Sequence, residues 1–139
     1  MNNFRRRVGV GLILFGTLLW CILMLTGCQP DDTLSFRDVY EEKGLGFMTA
    51  QYTLFDGPSR SLVQVGSGQT ITVAYRLDIQ AGEIRLRVLG PLGWKIQDQQ
   101  FTASSEGTVE ISAPLKWLYT VEVRGSGAKG SYDVRWTVK

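Results

Sequence analysis

From about residue 46 to the C-terminus, apolar and polar side chains alternate with a period of two, broken by glycine-rich segments roughly every eight to twelve residues. In "TITVAYRLDI", Ile71, Val73, Tyr75, Leu77 and Ile79 share one face, while Thr72, Ala74, Arg76 and Asp78 share the other. Successive side chains of an extended chain point to opposite sides, so this pattern predicts a half-buried strand. "QAG" at 80–82 reads as a turn, after which Ile84, Leu86 and Val88 alternate with Glu83, Arg85 and Arg87. The two runs predict a hairpin with one oily and one charged face.

"GPLG" at 90–93 is a second turn, leading into "WKIQDQQF" with Trp94, Ile96 and Phe101 directed inward. Val109 and Ile111 mark a short strand. Tyr119, Val121 and Val123 line one face of "WLYTVEVR", and Tyr132, Val134, Trp136 and Val138 line one face of "GSYDVRWTVK". "GSGAKG" between them reads as a flexible turn. Upstream, "FMTAQYTLF" and "SLVQV" supply two more strands separated by "DGPS". About eight short strands without helical periodicity predict an all-β domain, an antiparallel β-sandwich of jelly-roll or immunoglobulin-like kind.

The N-terminal part differs. "MNNFRRR" is basic, and Val8 to Leu25 is an uncharged apolar run ending beside small residues. This is the profile of an export signal. It is also close to the ~20 residues a helix needs to cross a bilayer, so an uncleaved anchor is the competing reading. Both place the arginines in the cytoplasm and the remainder outside. Residues 29–46 are polar and acidic, with Pro30 near the start, and read as a tether with one short helical turn around Phe36 to Glu42. Asp38, Glu41 and Glu42 stay in solvent in that reading.

Charge and composition narrow the function. The formal net charge is +2, but three of the 15 basic residues, Arg5, Arg6 and Arg7, lie in the N-terminal segment, and none of the 13 acidic ones does. The remainder is close to neutral and lacks the basic stripe that nucleic acid requires. With no histidine and two cysteines, at positions 21 and 28, the chain offers no zinc site, Cys/His pair or Ser/His/Asp triad. No cofactor or metal is implied. Carboxylates such as Asp56, Asp78, Asp98 and Glu122 are the remaining catalytic candidates, and all fall at turns or on polar strand faces. A non-enzyme is expected.

Leu25-Thr26-Gly27-Cys28 resembles the lipobox of bacterial lipoproteins, which follows a basic start and an apolar run as it does here. The resemblance implies a diacylglyceryl group on Cys28, cleavage before it and acylation of the new amino terminus. It implies a signal peptide at 1–27 and a lipidated tether at 28–45, ahead of the β-sandwich that the alternation places at 46–139. Two or more acyl chains hold a protein stably where one does not. Gln29 stands where many enteric lipoproteins carry an aspartate that retains them at the inner membrane. The implied location is extracytoplasmic, on the cell membrane, or on the outer membrane of a host with two.

"LYTVEVRGSGAKGSYDVRW" resembles the last two strands of small secreted sandwiches of the bacterial pre-peptidase C-terminal type, with Gly130 and Tyr132 in the closing strand and Gly90-Pro91-Leu92-Gly93 as the earlier turn. Tyr119 lacks the preceding glycine of that pattern. The resemblance implies an accessory or binding module. Trp94, Trp117, Tyr52 and Tyr119 lie near strand ends or turns, where aromatics can stack on a sugar or clasp a peptide. A small sandwich also fills its core with large aromatics: alternation assigns Trp136 and Tyr75 there outright, and the core is the leading reading for Trp94 and Trp117, with ligand contact the alternative. Arg85 and Arg87 head a ladder of mixed charges that is a solvated face by default and an anion-binding face in the alternative.

The sequence thus leads to a lipid-anchored interaction or accessory module at a bacterial envelope. Its partners would be the membrane, through Cys28, and an envelope protein or glycan. The alternatives are a carbohydrate-binding module and a structural envelope lipoprotein.

Overall fold

The computed structural model describes residues 34–37 and 39–139. The expected signal segment and Cys28 lie outside the described residues. Seven antiparallel strands make up the fold: β1 (Ser35–Arg37), β2 (Tyr40–Gly44), β3 (Phe47–Val65), β4 (Gln69–Leu89), β5 (Lys95–Phe101), β6 (Ser105–Ala113) and β7 (Trp117–Val138). A 3-10 turn at Pro91–Gly93 joins β4 to β5. Among the described residues no helix is long and apolar enough to cross a membrane.

β3, β4 and β7 run for 19, 21 and 22 residues. Straight strands of that length would exceed ~60 Å, far more than a domain with a radius of gyration of about 13 Å can hold. Each therefore bends at its middle. The register slips between Tyr52 and Gly57 of β3 and between Ile79 and Glu83 of β4, both opposite residues 125–130 of β7. The halves on either side keep different neighbours. β6 pairs with the first half of β4 and β5 with the second, while β1 and β2 pair with the first half of β3.

Two layers result. One is five strands across: β2 continued by β1, β3 at 47–56, β7 at 130–138, β4 at 69–79, and β6. The other is four across: β3 at 57–65, β7 at 117–126, β4 at 83–89, and β5. Met48, Ile71, Val73, Leu77 and Val134 from the first layer and Val63, Ile84, Leu86, Val88, Val121 and Val123 from the second belong to one buried core. Glu41 bridges the two layers at their edge. Its Oε1 accepts hydrogen bonds from the Ser59 hydroxyl at 2.6 Å and the Tyr132 hydroxyl at 3.3 Å, and pairs with Lys43 Nζ at 3.0 Å.

The sandwich is as the alternation predicts, but its connections are not. The hairpin expected around "QAG" does not form, because residues 71–79 and 84–88 lie in different layers and both pair with β7. "GSGAKG" and "DGPS" are likewise corners within β7 and β3 rather than turns between strands. The glycines explain the corners. Gly130 has φ +139 and a side chain there would strike the Asp78 carbonyl oxygen; at Gly82, with φ +72, it would strike the Gly127 carbonyl.

The expected tether also differs. Ser35–Arg37 and Tyr40–Gly44 are edge strands, with no helical turn, and the Phe36 ring stacks on Phe55 at 4.6 Å. Edge strands tolerate charged residues, which is why this segment looks like a spacer. Strands that pair with β3 are therefore present upstream of residue 46.

The two ends of the sandwich are unlike. One gathers the turns at 44–46, 66–68, 90–94 and 114–116 with the C-terminus, linked by Gly68 N–H to Ala113 O at 2.9 Å, Thr70 N–H to Lys139 O at 2.8 Å and Trp136 N–H to Gly46 O at 2.8 Å. The other carries the three corners, the link at 102–104 and the entry of the chain beside Asp56.

Candidate functional site

The outer face of the four-stranded layer is closed by its own charges. Arg60, Glu122, Arg87 and Asp98 stand in one row across neighbouring strands. Arg60 Nε donates to Glu122 Oε2 at 2.6 Å and Arg87 Nη1 to Oε1 at 3.2 Å, while Arg124 Nε lies 3.7 Å from Oε1. Only 1% of the Glu122 side chain is exposed. The expectation that Glu122 sits on a wet face is therefore corrected: long arginine side chains cover it. Arg85 and Arg87, the predicted anion-binding pair, are brought together but both are held by Asp98, at 3.4 and 3.3 Å. Arg85 Nη2 also donates to Gln100 Oε1 at 2.6 Å.

The outer face of the five-stranded layer is open. A hollow of about 550 Å³ crosses it between Arg76, Glu106, Asp133 and Arg135, over a floor that includes Ala74, Gly107 and Thr108. A second hollow of about 240 Å³, bordered by Tyr40, Thr49, Gln51, Asp78 and Ser131, shares Arg76 and Asp133 with the first. Small residues on the central strands leave the space, and longer ones stand around it. Thr49, Asp133, Arg76 and Glu106 form a single row from β3 to β6. With β2 beyond Thr49, the face spans four inter-strand gaps, or ~19 Å.

Charges here are paired in the open. Arg76 Nε lies 3.4 Å from Glu106 Oε2, with side chains 80% and 73% exposed. Arg135 donates to both oxygens of Asp133, at 3.0 and 3.2 Å. These hydrogen bonds, reinforced by the carboxylate's charge, raise the Arg135 pKa above its ordinary value. Arg135 also lies over the Phe47 ring at 6.0 Å. The Asp78 carboxylate accepts from the Ser104 hydroxyl at 3.2 Å. Such a surface offers forked guanidinium donors and two-oxygen carboxylate acceptors side by side.

The aromatic candidates separate. Trp94 and Trp117 are 54% and 57% exposed at the turn-bearing end, so the core reading is corrected for both. Trp117 has inward parity, opposite Val65, but stands at the first position of β7, beyond the core. Leu118 and Ile96 are exposed too. Tyr119 is fully buried, its hydroxyl donating to Leu115 O at 3.0 Å, which removes it as a ligand contact. Tyr52 is buried, and its hydroxyl has no partner among the described residues. Burial, with the Asp78 charge as a smaller cause, raises its pKa. Half-buried Tyr75 lines the first hollow, and the exposed Tyr40, whose hydroxyl donates to Glu42 Oε2 at 3.2 Å, borders the second. Sequence reasoning missed Tyr40 because it fell in the expected tether. Arg76, Asp78, Asp133 and Arg135 were visible as a polar alternation, without a sign that space lies between them.

No protein-family model matches the chain, and no curated protein matches it. Among solved structures it resembles a CBM4 carbohydrate-binding module, with a TM-score of 0.51 and 10% identity over 76% of this chain and 77% of that one. A CBM61 module solved with beta-1,4-galactotriose has a TM-score of 0.48 and 10% identity, covering 77% and 88% of the two chains. A family 35 carbohydrate binding module from Clostridium thermocellum has a TM-score of 0.45 and 11% identity, covering 76% and 89%. These neighbours are not domains of the pre-peptidase C-terminal type. At such identity the first likeness establishes a shared architecture: the described chain is an antiparallel β-sandwich of the kind a CBM4 module adopts.

Proposed function

We propose that this protein is a non-catalytic glycan-binding module, held at a bacterial envelope by lipid on Cys28, and that the open face of the five-stranded layer receives the sugar chain. The observation that carries the reading is the hollow between Arg76, Glu106, Asp133 and Arg135. It is shallow and long, and its two guanidinium groups balance its two carboxylates. Pairs of sugar hydroxyls both donate and accept, so a neutral oligosaccharide suits it better than a free anion. A solved structure that shares the fold is a carbohydrate-binding module, which supports the same choice. Glu106 and Asp133 are both ion-paired on an open surface, with no wall to exclude water, so the site is assigned binding and no bond cleavage.

The test is calorimetric titration of the detergent-solubilised full chain with neutral oligosaccharides of three or more residues. Saturable binding is expected, lost on Asp133→Ala combined with Arg76→Ala. Binding that this double variant leaves unchanged would refute the site. The anchor is tested separately: Cys28→Ser should abolish palmitate labelling and leave a heavier precursor, and retained labelling would exclude the lipobox.

A further inference from the structure

The turn-bearing end has a chemistry that glycan binding on the sheet face does not use. Leu92 is 89% exposed at the tip of the Pro91–Gly93 turn, Leu45 is fully exposed in the turn at 44–46, and Leu115 is exposed in the turn at 114–116. Trp94 and Trp117 stand exposed beside them. Leu92 also has φ +59, a left-handed conformation that costs a branched side chain about 1 kcal/mol or more. A folded domain gains nothing from an exposed leucine in that conformation.

Lysines gather at this end, two of them beside a carboxylate: Lys43 pairs with Glu41 at 3.0 Å and Lys95 lies 3.7 Å from Asp98. Four of the chain's five lysines, Lys43, Lys95, Lys116 and Lys139, lie in or beside these turns, and the turns at 44–46, 66–68, 90–94 and 114–116 contain no acidic residue. The opposite end is built from Gly, Ala, Ser, Thr and Gln at 80–82, 102–104 and 125–128. Aliphatic tips, tryptophans at their base and a ring of lysines make up the composition of a surface that sits in a lipid head-group layer. Protein–protein interfaces, by contrast, are depleted in lysine. We infer that the turn-bearing end docks on a lipid bilayer carrying anionic head groups, with Leu45, Leu92 and Leu115 entering the acyl boundary and the lysines meeting the phosphates.

The test holds the full chain in phosphatidylcholine nanodiscs and adds free vesicles, either phosphatidylcholine alone or with one quarter phosphatidylglycerol. Co-flotation with the anionic vesicles is expected, with a blue shift in tryptophan emission that is absent in Trp94→Phe/Trp117→Phe. Lys95→Glu/Lys116→Glu should weaken capture at least tenfold, since each lysine near an anionic surface is worth about fivefold. Leu92→Asp/Leu115→Asp should abolish it. All these positions are exposed, and unchanged oligosaccharide titration of each variant verifies the fold. Equal capture by both vesicle types, or capture that neither pair of substitutions weakens, overturns the inference. So does lipid-free self-association that Leu92→Asp/Leu115→Asp abolishes, which would make the end an interface between copies.

Discussion

The two outer faces of the sandwich carry the same alphabet of arginines and acids, and they use it in opposite ways. On the four-stranded layer, Glu122 is buried under Arg60, Arg87 and Arg124, and Asp98 holds the far sides of Arg85 and Arg87. On the five-stranded layer, Arg76 and Glu106 meet at 3.4 Å with both side chains in water. The difference lies in the neighbours. Around Glu122, long side chains occupy adjacent positions on three strands and cover one another. Around Arg76, the directly opposite Glu106 and Asp133 are flanked by Ala74, Thr108 and Ser131, which are too short to cover them. A closed network contributes to the fold, whereas an open one leaves its hydrogen-bonding capacity for a ligand.

The largest expected effect is on the closed face. Glu122→Ala removes one of the two carboxylates that hold Arg87 and should lower unfolding free energy by about 2–3 kcal/mol, at or below the usual range for a broken buried pair because Asp98 still pairs with Arg87 and because Arg60 and Arg124 can reach water. The matched change on the open face, Glu106→Ala, should cost no more than about 0.5 kcal/mol. Urea unfolding measures both, and equal losses would erase the distinction between the faces.

Ligand affinity should show the reverse order. Arg76→Ala or Asp133→Ala alone should weaken oligosaccharide binding by about tenfold, the loss of one to two hydrogen bonds to charged groups. Arg85→Ala should leave the affinity unchanged. A titration in which Arg85→Ala is the damaging variant would transfer the site to the other layer.

A smaller effect concerns the edge between the layers. Burial pushes the Glu41 pKa up, but the Ser59 hydrogen bond, Lys43 and the Tyr132 hydroxyl outweigh it and hold the carboxyl below its ordinary value. A depressed folded value means stability that is complete above the ordinary glutamate range of about 4.3 and is lost as the pH falls through the folded value. Wild type should therefore lose more stability than Glu41→Gln on acidification below about pH 4. The smallest effect is at Tyr52. With its hydroxyl unpartnered, Tyr52→Phe should be neutral or stabilise by up to about 1 kcal/mol.

Much of the fold was legible in the alternation, and the reasons it failed elsewhere are specific. Ile71, Val73, Ile84, Leu86, Val121 and Val134 all face the core as their parity predicts. "QAG" and "GSGAKG" were misread because a hairpin turn and a strand corner need the same glycines, and nothing local states which partner the next half will take. The burial of Glu122 depends on Arg60 and Arg87, distant in sequence and joined only by register. Trp94 and Trp117 were assigned inward from composition, but strand ends outrun the core. Tyr40 was lost because a charged edge strand and a solvated spacer look alike.

The central claim is that the open face holds the sugar chain, and the most direct measurement is an amide chemical-shift titration of the full chain in detergent with a neutral oligosaccharide. Shifts are predicted at residues 74–78, 106–108 and 131–135, with none at 84–89 or 120–124. Shifts confined to the latter two segments or to the turn-bearing end, or no shifts with any neutral oligosaccharide, would contradict it.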